Sequence, residues 1–279
     1  FYDIFIGGTF AAWNGLDENT RSKCALAVNP YDHGGSPDGQ PVRFENGRLI
    51  EAFGDYGVRW INAVRGKEDY PFPRGKVTYY KLFGDEWLCG GFEQPEDSRV
   101  FTLVEGERTF VYNPYAPATF RGGLSTNFGG SAWQDEPGQR YDILTFHTPE
   151  FTEDAFIRGR MSASLAVRSS CEDTCFYVRI SLCKKEGDYG LRDDINQISN
   201  FRADYRPGDT VEMRFGFDEH AFVVKKGERL RIDVSSSAFP LYVRHTNNRG
   251  LFSVQETARI AENTVLCGLS SLTVPIEKL

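Results

Sequence analysis

The sequence predicts a mainly β protein, a two-sheet β-sandwich of jelly-roll type that follows a short α/β segment. Helical periodicity is confined to the first third of the chain, before about Pro71. Beyond that point short runs rich in Val, Ile, Phe, Tyr and Thr recur, and Gly, Pro and Asp separate them. About ten such runs fit two packed antiparallel sheets, and 279 residues are enough to bury a sizeable core.

Residues 1–70 have the pattern of the end of an α/β domain. The opening "FYDIFIGGTF" indicates a strand end that runs into a helix, and helical spacing continues from Phe10 to Leu16. "CALAVNP" (Cys24–Pro30) is a continuous apolar run, typical of a strand buried on both faces. After the Gly- and Pro-rich loop "DHGGSPDG", helical spacing over Leu49–Gly66 ends at a glycine, as helices often do. This order predicts a remnant of an α/β domain.

Residues 71–279 carry the β-type runs. Alternation is clearest in "RLRIDVS" (Arg229–Ser235), where the apolar residues are expected to face the core and Arg229, Arg231 and Asp233 to face solvent. We expect strands in the runs KVTYYKLF, RVFTLVEG, RTFVYNP, YDILTFHT, IRGRMSASLAVRS, CFYVRISLC, TVEMRFGF, RLRIDVSSS, PLYVRHTN and SSLTVPIE.

Charge and apolar content exclude two classes of partner. The chain has 32 Lys and Arg against 39 Asp and Glu, a net charge of −7, and its basic residues are scattered. Since phosphate binding needs a concentrated basic surface, no nucleic acid is expected as a partner. No apolar run approaches the roughly 20 residues that cross a bilayer, so no membrane partner is expected either. The sequence therefore predicts a soluble protein.

The cysteine pattern predicts neither a disulfide scaffold nor a metal site. Six cysteines are spread irregularly, unlike those of a small secreted disulfide-rich protein. Cys171 and Cys175 form a CxxxC pair near Cys183, but a zinc site needs a fourth ligand and tighter spacing. We therefore expect free thiols or one disulfide, no metal and a cytoplasmic location.

Several other titratable residues have no motif around them that indicates chemistry. His147, His220 and His245 lie in β-type sequence, and we expect ordinary surface or core histidines. The adjacent Asp193 and Asp194 lack the context of a glycosidase carboxylate pair. They are expected to be solvated loop charges.

Four phrases of the β region occur in a characteristic order. They are "YDILTFHTPEFTEDAFIRGRMSASLAV" (Tyr141–Val167), "RPGDTVEMRFGF" (Arg206–Phe217), "HAFVVKKGERLRIDVSSSAFPLYVRHTN" (His220–Asn247) and "LTVPI" (Leu272–Ile276). Together they resemble the C-terminal domain of the X-Pro dipeptidyl-peptidase and cocaine-esterase-like (CocE/NonD) hydrolases. The third phrase, with KxGxRLRxDVSSSxFP, resembles that family's galactose-binding-like jelly roll. The resemblance covers about the last 140 residues.

Two motifs near the start of the chain resemble the catalytic motifs of the same family. "YDIF" resembles the strand end that carries the triad acid, and "NPYDHGG" resembles the loop that carries the triad histidine. The correspondence falls on Asp3 and His33. Because the chain order in this fold is Ser, acid, His, the resemblance implies a nucleophilic Ser upstream of Phe1. It also implies that residues 1–70 end an α/β-hydrolase catalytic domain and that residues 71–279 form the jelly roll.

The chain itself offers a rival acid and two imitations of a nucleophile. Asp32 adjoins His33, but neighbouring residues of an extended chain point to opposite sides, so we expect Asp32 to be a loop or capping residue. Ser125 in "GGLSTNFGG" and Ser270 in "CGLSSL" lack the closing Gly and the strand-to-helix turn of a nucleophile elbow. We therefore expect this chain alone to be inactive.

The sequence thus predicts the C-terminal portion of a serine hydrolase that cleaves ester or amide bonds, either acyl or X-Pro dipeptidyl. Asp3 and His33 are its predicted catalytic residues, and neither a metal nor an organic cofactor is expected. The expected partners are a small ester or peptide substrate and the N-terminal catalytic region; a homodimer stays open, since dimers are common in the family. The alternative is a non-catalytic β-sandwich module that binds carbohydrate or another ligand.

Overall fold

The computed structural model describes residues 1–33, 38, 40–47, 53–124 and 129–278. Within these ranges the chain is mainly β, as predicted, and the α-helices precede most of the strands. The helices are α1 (Ile6–Asn14), α2 (Glu18–Arg21) and α3 (Phe53–Val64). The strands are β1 (Leu26–Val28), β2 (Val77–Lys81), β3 (Glu86–Gly90), β4 (Ser98–Thr102), β5 (Glu107–Tyr112), β6 (Leu144–His147), β7 (Ala155–Gly159), β8 (Ser162–Ser169), β9 (Cys175–Lys184), β10 (Gly187–Gln197), β11 (Val211–Gly216), β12 (His220–Val224), β13 (Arg229–Ser235), β14 (Ala261–Leu266), β15 (Ser271–Pro275) and β16 (Glu277–Lys278).

Local sequence explains where the helices begin and end. α2 begins after Asp17, whose side chain accepts a hydrogen bond from the Thr20 amide at 3.0 Å. α3 ends shortly before Gly66, where a φ of +68° favours glycine. The predicted helical residues Leu49 and Ile50 lie outside the described ranges. In the part of the chain that is described, no helix combines the length and the apolar character needed to span a bilayer.

Strand β1 is less buried than its apolar sequence predicts. Val28 is buried, whereas Leu26 and Ala27 are half-buried. β1 pairs in parallel with β2 and is the end strand of the described sheet β1–β2–β3. The prediction of a strand buried on both faces is therefore wrong, because a strand with one described neighbour leaves its side chains partly accessible.

The sheet β1–β2–β3 spans the position where the sequence predicts a domain boundary. Leu26 is paired with Val77 and Val28 with Tyr79, so residues on both sides of position 70 share one sheet. Leu82, just after β2, is also hydrogen-bonded to β12, with its amide donating to the Ala221 carbonyl at 3.0 Å. The boundary at 70/71 remains a prediction.

Two sheets pack face to face and form a β-sandwich. One has the strand order β10–β9–β13–β6, and the other has the order β4–β15–β8–β14–β5 with β11 also paired to β8. A three-stranded sheet, β12–β7–β16, adjoins them. The rings of Phe110 on β5 and Phe176 on β9 meet edge to face, 6.1 Å apart, across the space between the two larger sheets. Leu165, Val167 and Ile180 are fully buried in the same core, and burial of each such side chain contributes about 1.5–3 kcal/mol to stability.

Strand prediction fails where side-chain chemistry overrides the residue pattern. "PLYVRHTN" is irregular, because Asn247 has a φ of +64° and its amide donates to His245 Nδ1 at 2.9 Å instead of to a neighbouring strand. β10 was not predicted, since its sequence GDYGLRDDINQ mixes glycines with charged residues. It nevertheless pairs with β9 over its whole length, with a bulge between Gly190 and Arg192. β3, β12 and β14 were also missed.

The outer face of β13 is covered rather than solvated. Arg229 is exposed, as predicted, but Arg231 and Asp233 are both buried, so the prediction that they face solvent is wrong for these two. Arg231 Nε donates to the Asp233 carboxylate at 2.9 Å, and its Nη1 donates to the Asp135 carbonyl and the Asp188 carboxylate, each at 2.8 Å. A loop around Asp135 lies over this face, and periodicity within β13 gives no sign of it.

Candidate active site

Asp3 and His33, the two predicted catalytic residues, are brought side by side by a short backbone pairing. The Phe1 nitrogen lies 2.8 Å from the carbonyl oxygen of Asn29 and 3.0 Å from that of Tyr31. The start of the chain therefore runs beside the segment that leaves β1. Asp3 then precedes the turn into α1, while His33 lies two residues beyond Tyr31.

The side chains of Asp3 and His33 form a hydrogen-bonded pair. His33 Nδ1 lies 2.9 Å from Asp3 Oδ2. The other oxygen of Asp3, Oδ1, accepts a hydrogen bond from the Phe5 amide at 2.7 Å, which fixes the orientation of the carboxylate. A proton on Nδ1 that is donated to Asp3 leaves Nε2 of the ring as an acceptor. This is the tautomer that a general base requires.

An open cleft of about 280 Å³ lies beside this pair. The His33 side chain is 54% exposed and that of Asp3 is 23% exposed, so the ring is the more accessible of the two groups. Phe5 packs edge-on against the His33 ring, with 5.2 Å between ring centres. Apolar residues such as Ile6 and Val28 supply much of the remaining lining. The cleft leaves open space next to the imidazole.

Asp32, the rival acid, has different surroundings. Its Oδ2 accepts a hydrogen bond from Gln40 Nε2 at 2.8 Å. Gly130, from the loop before β6, lies against it, since a Cβ on Gly130 would come within 2.9 Å of the Asp32 Cβ. Gly130 also has a φ of +82°, which favours glycine. The segment between β5 and β6 thus reaches the residue next to His33.

A buried polar cluster lies behind the site, and the sequence did not predict it. Asp193 accepts a hydrogen bond from the hydroxyl of Tyr2, the residue before Asp3. Asp193 is buried, so the prediction of a solvated loop charge is wrong for it: pairing of β10 with β9 carries it inward, and its charge is met there by polar partners. Burial, together with the Asp193 carboxylate, raises the pKa of Tyr2 well above its ordinary value. The Tyr2 hydroxyl therefore stays protonated and remains a donor.

No local sequence signal marks this cluster. Tyr189, Leu191, Arg192 and Asp193 are all buried, but they belong to the run GDYGLRDDINQ, in which glycines and charges weaken the strand pattern. An unpaired buried charge is costly, so Arg192 and Asp193 need buried partners once β10 is carried inward. The identity of the partner, Tyr2, is set by a contact across 191 residues of sequence and cannot be found from local pattern.

The remaining predicted residues fall outside the site or outside the described ranges. Ser270 is buried in the sandwich, where its Oγ donates to the Leu266 carbonyl at 2.8 Å and accepts from the Ala166 amide at 3.0 Å. Ser125 lies outside the described ranges. The six cysteines are free. Among the residues that the structure describes, no group of three or more His, Cys, Asp or Glu side chains is placed to hold a metal ion.

One protein-family model matches most of the chain. The family model described as X-Pro dipeptidyl-peptidase C-terminal non-catalytic domain matches residues 61–273. The match therefore includes α3 from Ile61 onward and nearly all of the strands.

Individual proteins are similar over almost the whole chain. Cocaine esterase from Rhodococcus sp. (strain MB1 Bresler) is 24% identical over 293 residues, which cover 92% of this chain and 50% of that protein. An α-amino acid ester hydrolase structure has a TM-score of 0.79 at 16% identity, covering 99% of this chain and 54% of its own. An aminopeptidase from a marine sediment Thaumarchaeota archaeon has a TM-score of 0.77 at 18% identity, covering 93% and 50%. The chain thus spans about half the length of these relatives, and the structural likeness shows a shared fold.

Proposed function

Because the chain belongs to the X-Pro dipeptidyl-peptidase C-terminal domain family, we propose that it is the C-terminal portion of a serine hydrolase. In this proposal Asp3 is the acid and His33 the base of a Ser-His-Asp triad, and the nucleophilic Ser precedes Phe1 in the natural protein. The hydrolase cleaves ester or amide bonds. The observation that carries the proposal is the 2.9 Å contact between His33 Nδ1 and Asp3 Oδ2 beside an open cleft.

The geometry of the pair supports a general-base role for His33. Serine oxygen is a weak nucleophile until a base removes its proton. Asp3 is held by the Phe5 amide and in turn bonds Nδ1, which leaves Nε2 to accept that proton. The half-exposed ring then meets a group that enters from the cleft.

The proposed reaction proceeds in two steps. In the first, Ser Oγ attacks the substrate carbonyl carbon, His33 Nε2 takes the hydroxyl proton, and the leaving alcohol or amine departs with that proton. In the second, His33 takes a proton from water as the water oxygen attacks the acyl-enzyme, and the carboxylic acid is released while the Ser hydroxyl is restored. Asp3 stabilises the imidazolium that forms in each step. Oxyanion donors come from the N-terminal catalytic region.

The proposal also assigns a role to the two parts of the chain. Residues 1–70 are the end of the α/β-hydrolase domain, and residues 71–279 are a jelly-roll lid of the galactose-binding-like type. The approach of Gly130 to Asp32 supports this arrangement, since it puts a lid loop beside the histidine loop. The lid thereby helps to shape the substrate pocket.

The names of the relatives indicate which substrates to try first. They are called cocaine esterase, α-amino acid ester hydrolase, aminopeptidase and X-Pro dipeptidyl-peptidase. Each of these names denotes acyl transfer from an ester or a peptide to water. We therefore propose small esters and N-terminal X-Pro peptides as the substrate class.

Turnover by the natural full-length protein tests the proposal. Short p-nitrophenyl esters and X-Pro p-nitroanilides are assayed with the unmodified protein, with His33→Ala and with His147→Ala. His147, half-buried on β6, is the matched control. Loss of turnover in His33→Ala alone supports the proposal. Equal activity in His33→Ala and the unmodified protein would contradict it.

A further inference from the structure

Two buried residues of β10, Arg192 and Asp193, hold the two residues that directly precede Asp3. Arg192 Nη2 donates to the Phe1 carbonyl at 2.5 Å and to the Glu219 carbonyl at 2.6 Å. The Arg192 guanidinium also lies 5.2 Å from the centre of the Tyr2 ring. Arg192 has no exposed surface. The buried Arg192 guanidinium thus holds the backbone in place two residues before the catalytic acid.

Asp193 fixes the next residue through its side chain. The Tyr2 hydroxyl donates to Asp193 Oδ1, and Arg179 Nη2 donates to the same hydroxyl at 3.3 Å. Asp193 Oδ2 accepts from Tyr177 at 3.1 Å and from Tyr242 at 3.4 Å. Both oxygens of the carboxylate are therefore engaged, which limits the positions that the Tyr2 ring can take.

Stability alone is a weak reason for such a cluster. Taking charged groups out of water costs several kcal/mol per ion, and apolar replacements of similar volume are often neutral or stabilising. The hydrogen bonds of the cluster do, however, favour one conformation of Phe1 and Tyr2 over the alternatives. Because Asp3 is the next residue, the same arrangement sets where its carboxylate meets His33.

We propose that Arg192 and Asp193 are positioning residues for the catalytic acid Asp3, so that the sandwich domain takes part in organising the triad. This inference rests on the proposed function. Arg192 and Asp193 act through the backbone and side chain of residues 1 and 2 and make no contact with substrate. A displacement of about 1 Å at a catalytic group can cost about 100-fold in rate, so loosening this hold affects kcat.

The mildest variant is Tyr2→Phe in the natural full-length protein, which removes one hydroxyl and keeps the ring. Tyr112→Phe is the matched control, since Tyr112 is also buried and donates its hydroxyl to the His245 carbonyl at 3.0 Å, within the sandwich. We expect kcat to fall by about 10- to 100-fold in Tyr2→Phe with KM unchanged. Tyr112→Phe is expected to keep the kcat of the unmodified protein. Equal kcat values in the two variants would overturn the inference.

A double-mutant cycle with Asp3→Asn distinguishes positioning from a general structural effect. If Tyr2 acts only through Asp3, adding Tyr2→Phe to Asp3→Asn lowers kcat no further than about twofold. Independent effects would multiply instead, which overturns the inference.

Arg192→Met and Arg192→Lys complete the test. The methionine removes both donated hydrogen bonds, whereas lysine restores a charged donor and is expected to recover part of the lost kcat. Failure of lysine to recover any kcat in a folded protein would count against a role for the Arg192 hydrogen bonds. If His33→Ala keeps full activity, the proposed function itself fails. If His33→Ala is inactive while Tyr2→Phe equals Tyr112→Phe, the positioning role alone fails.

Discussion

The Asp3–His33 pair and the Arg192–Asp193 pair of β10 each combine a carboxylate with a nitrogen base, but they differ in solvent exposure. The His33 side chain is 54% exposed beside a cleft, whereas Arg192 is completely buried and bonded to fixed carbonyl groups. An accessible imidazole can exchange protons with a substrate; a buried guanidinium cannot, but it can hold a backbone in place. Accessibility thus separates groups that can exchange protons with a substrate from groups that can only hold other residues in place.

The largest expected difference in kcat is between variants of Asp3 and Asp32, the two acids beside the cleft. Asp3→Asn keeps the shape of the side chain but favours the wrong histidine tautomer, so we expect kcat to fall by about 10⁴-fold. Asp32→Asn, whose oxygen accepts from Gln40, is expected to keep most of the activity. Steady-state kinetics of both variants in the natural full-length protein check this. An equal loss of kcat in the two variants would contradict the assignment of Asp3, and not Asp32, as the catalytic acid.

A buried ion pair away from the site is expected to affect stability instead of rate. Arg231→Met leaves the fully buried Asp233 carboxylate without its charged partner. We expect a loss of about 3–5 kcal/mol in the free energy of unfolding of the sandwich. Hydrogen exchange of the β9 and β13 amides in the natural protein measures it. A loss below about 1 kcal/mol, the range of surface pairs, would contradict the expected cost.

Burial of Asp194, next to Asp193, is expected to make the stability of the fold depend on pH. Burial raises its pKa from 3.8 to about 6, so the folded protein binds this proton more tightly than the unfolded chain does. The contribution of Asp194 to stability is therefore fully present below pH 3.8 and declines as pH rises to about 6.

Relative to Asp194→Asn, the free energy of unfolding of the unmodified protein is expected to fall by up to about 3 kcal/mol between pH 4 and pH 7. Urea denaturation of both proteins at several pH values measures this difference. A difference that does not change with pH would show that Asp194 titrates normally.

The smallest effect is expected for an exposed pair in the sandwich. Lys225 and Asp154 lie 3.0 Å apart, with side chains 49% and 41% exposed. Since solvent screens such pairs, Lys225→Met is expected to change the free energy of unfolding by less than about 1 kcal/mol and to leave kcat unchanged. Urea denaturation and the ester assay check both values. A loss as large as that of Arg231→Met would mean that burial does not distinguish these ion pairs.

Sequence motifs predict more of the candidate site than of the long-range packing around it. The motifs YDIF and NPYDHGG predict Asp3 and His33, and the structure places these two side chains in contact although they are 30 residues apart in sequence. Alternation in β13 assigned its apolar residues to the core correctly. It gave the wrong environment for Arg231, because the covering loop lies almost 100 residues away in sequence.

The β10 strand shows the same limit for the candidate site. Its glycines and charges weaken every local strand signal, and β9 supplies the pairing that makes it a strand. Asp193 was therefore assigned to a solvated loop, although it bonds to Tyr2 in the interior. Only the fold brings these residues together, so the support behind Asp3 could not be predicted from sequence.

Labelling of the natural full-length protein with a fluorophosphonate probe, followed by peptide mapping, tests directly whether Asp3 and His33 belong to a Ser-His-Asp triad. The probe reports an activated serine without requiring the substrate to be known. We expect one labelled serine that precedes Phe1, with labelling lost in His33→Ala and retained in His147→Ala. Labelling that persists in His33→Ala, or that maps to Ser270, would contradict the claim that this chain supplies the acid and base of a Ser-His-Asp triad.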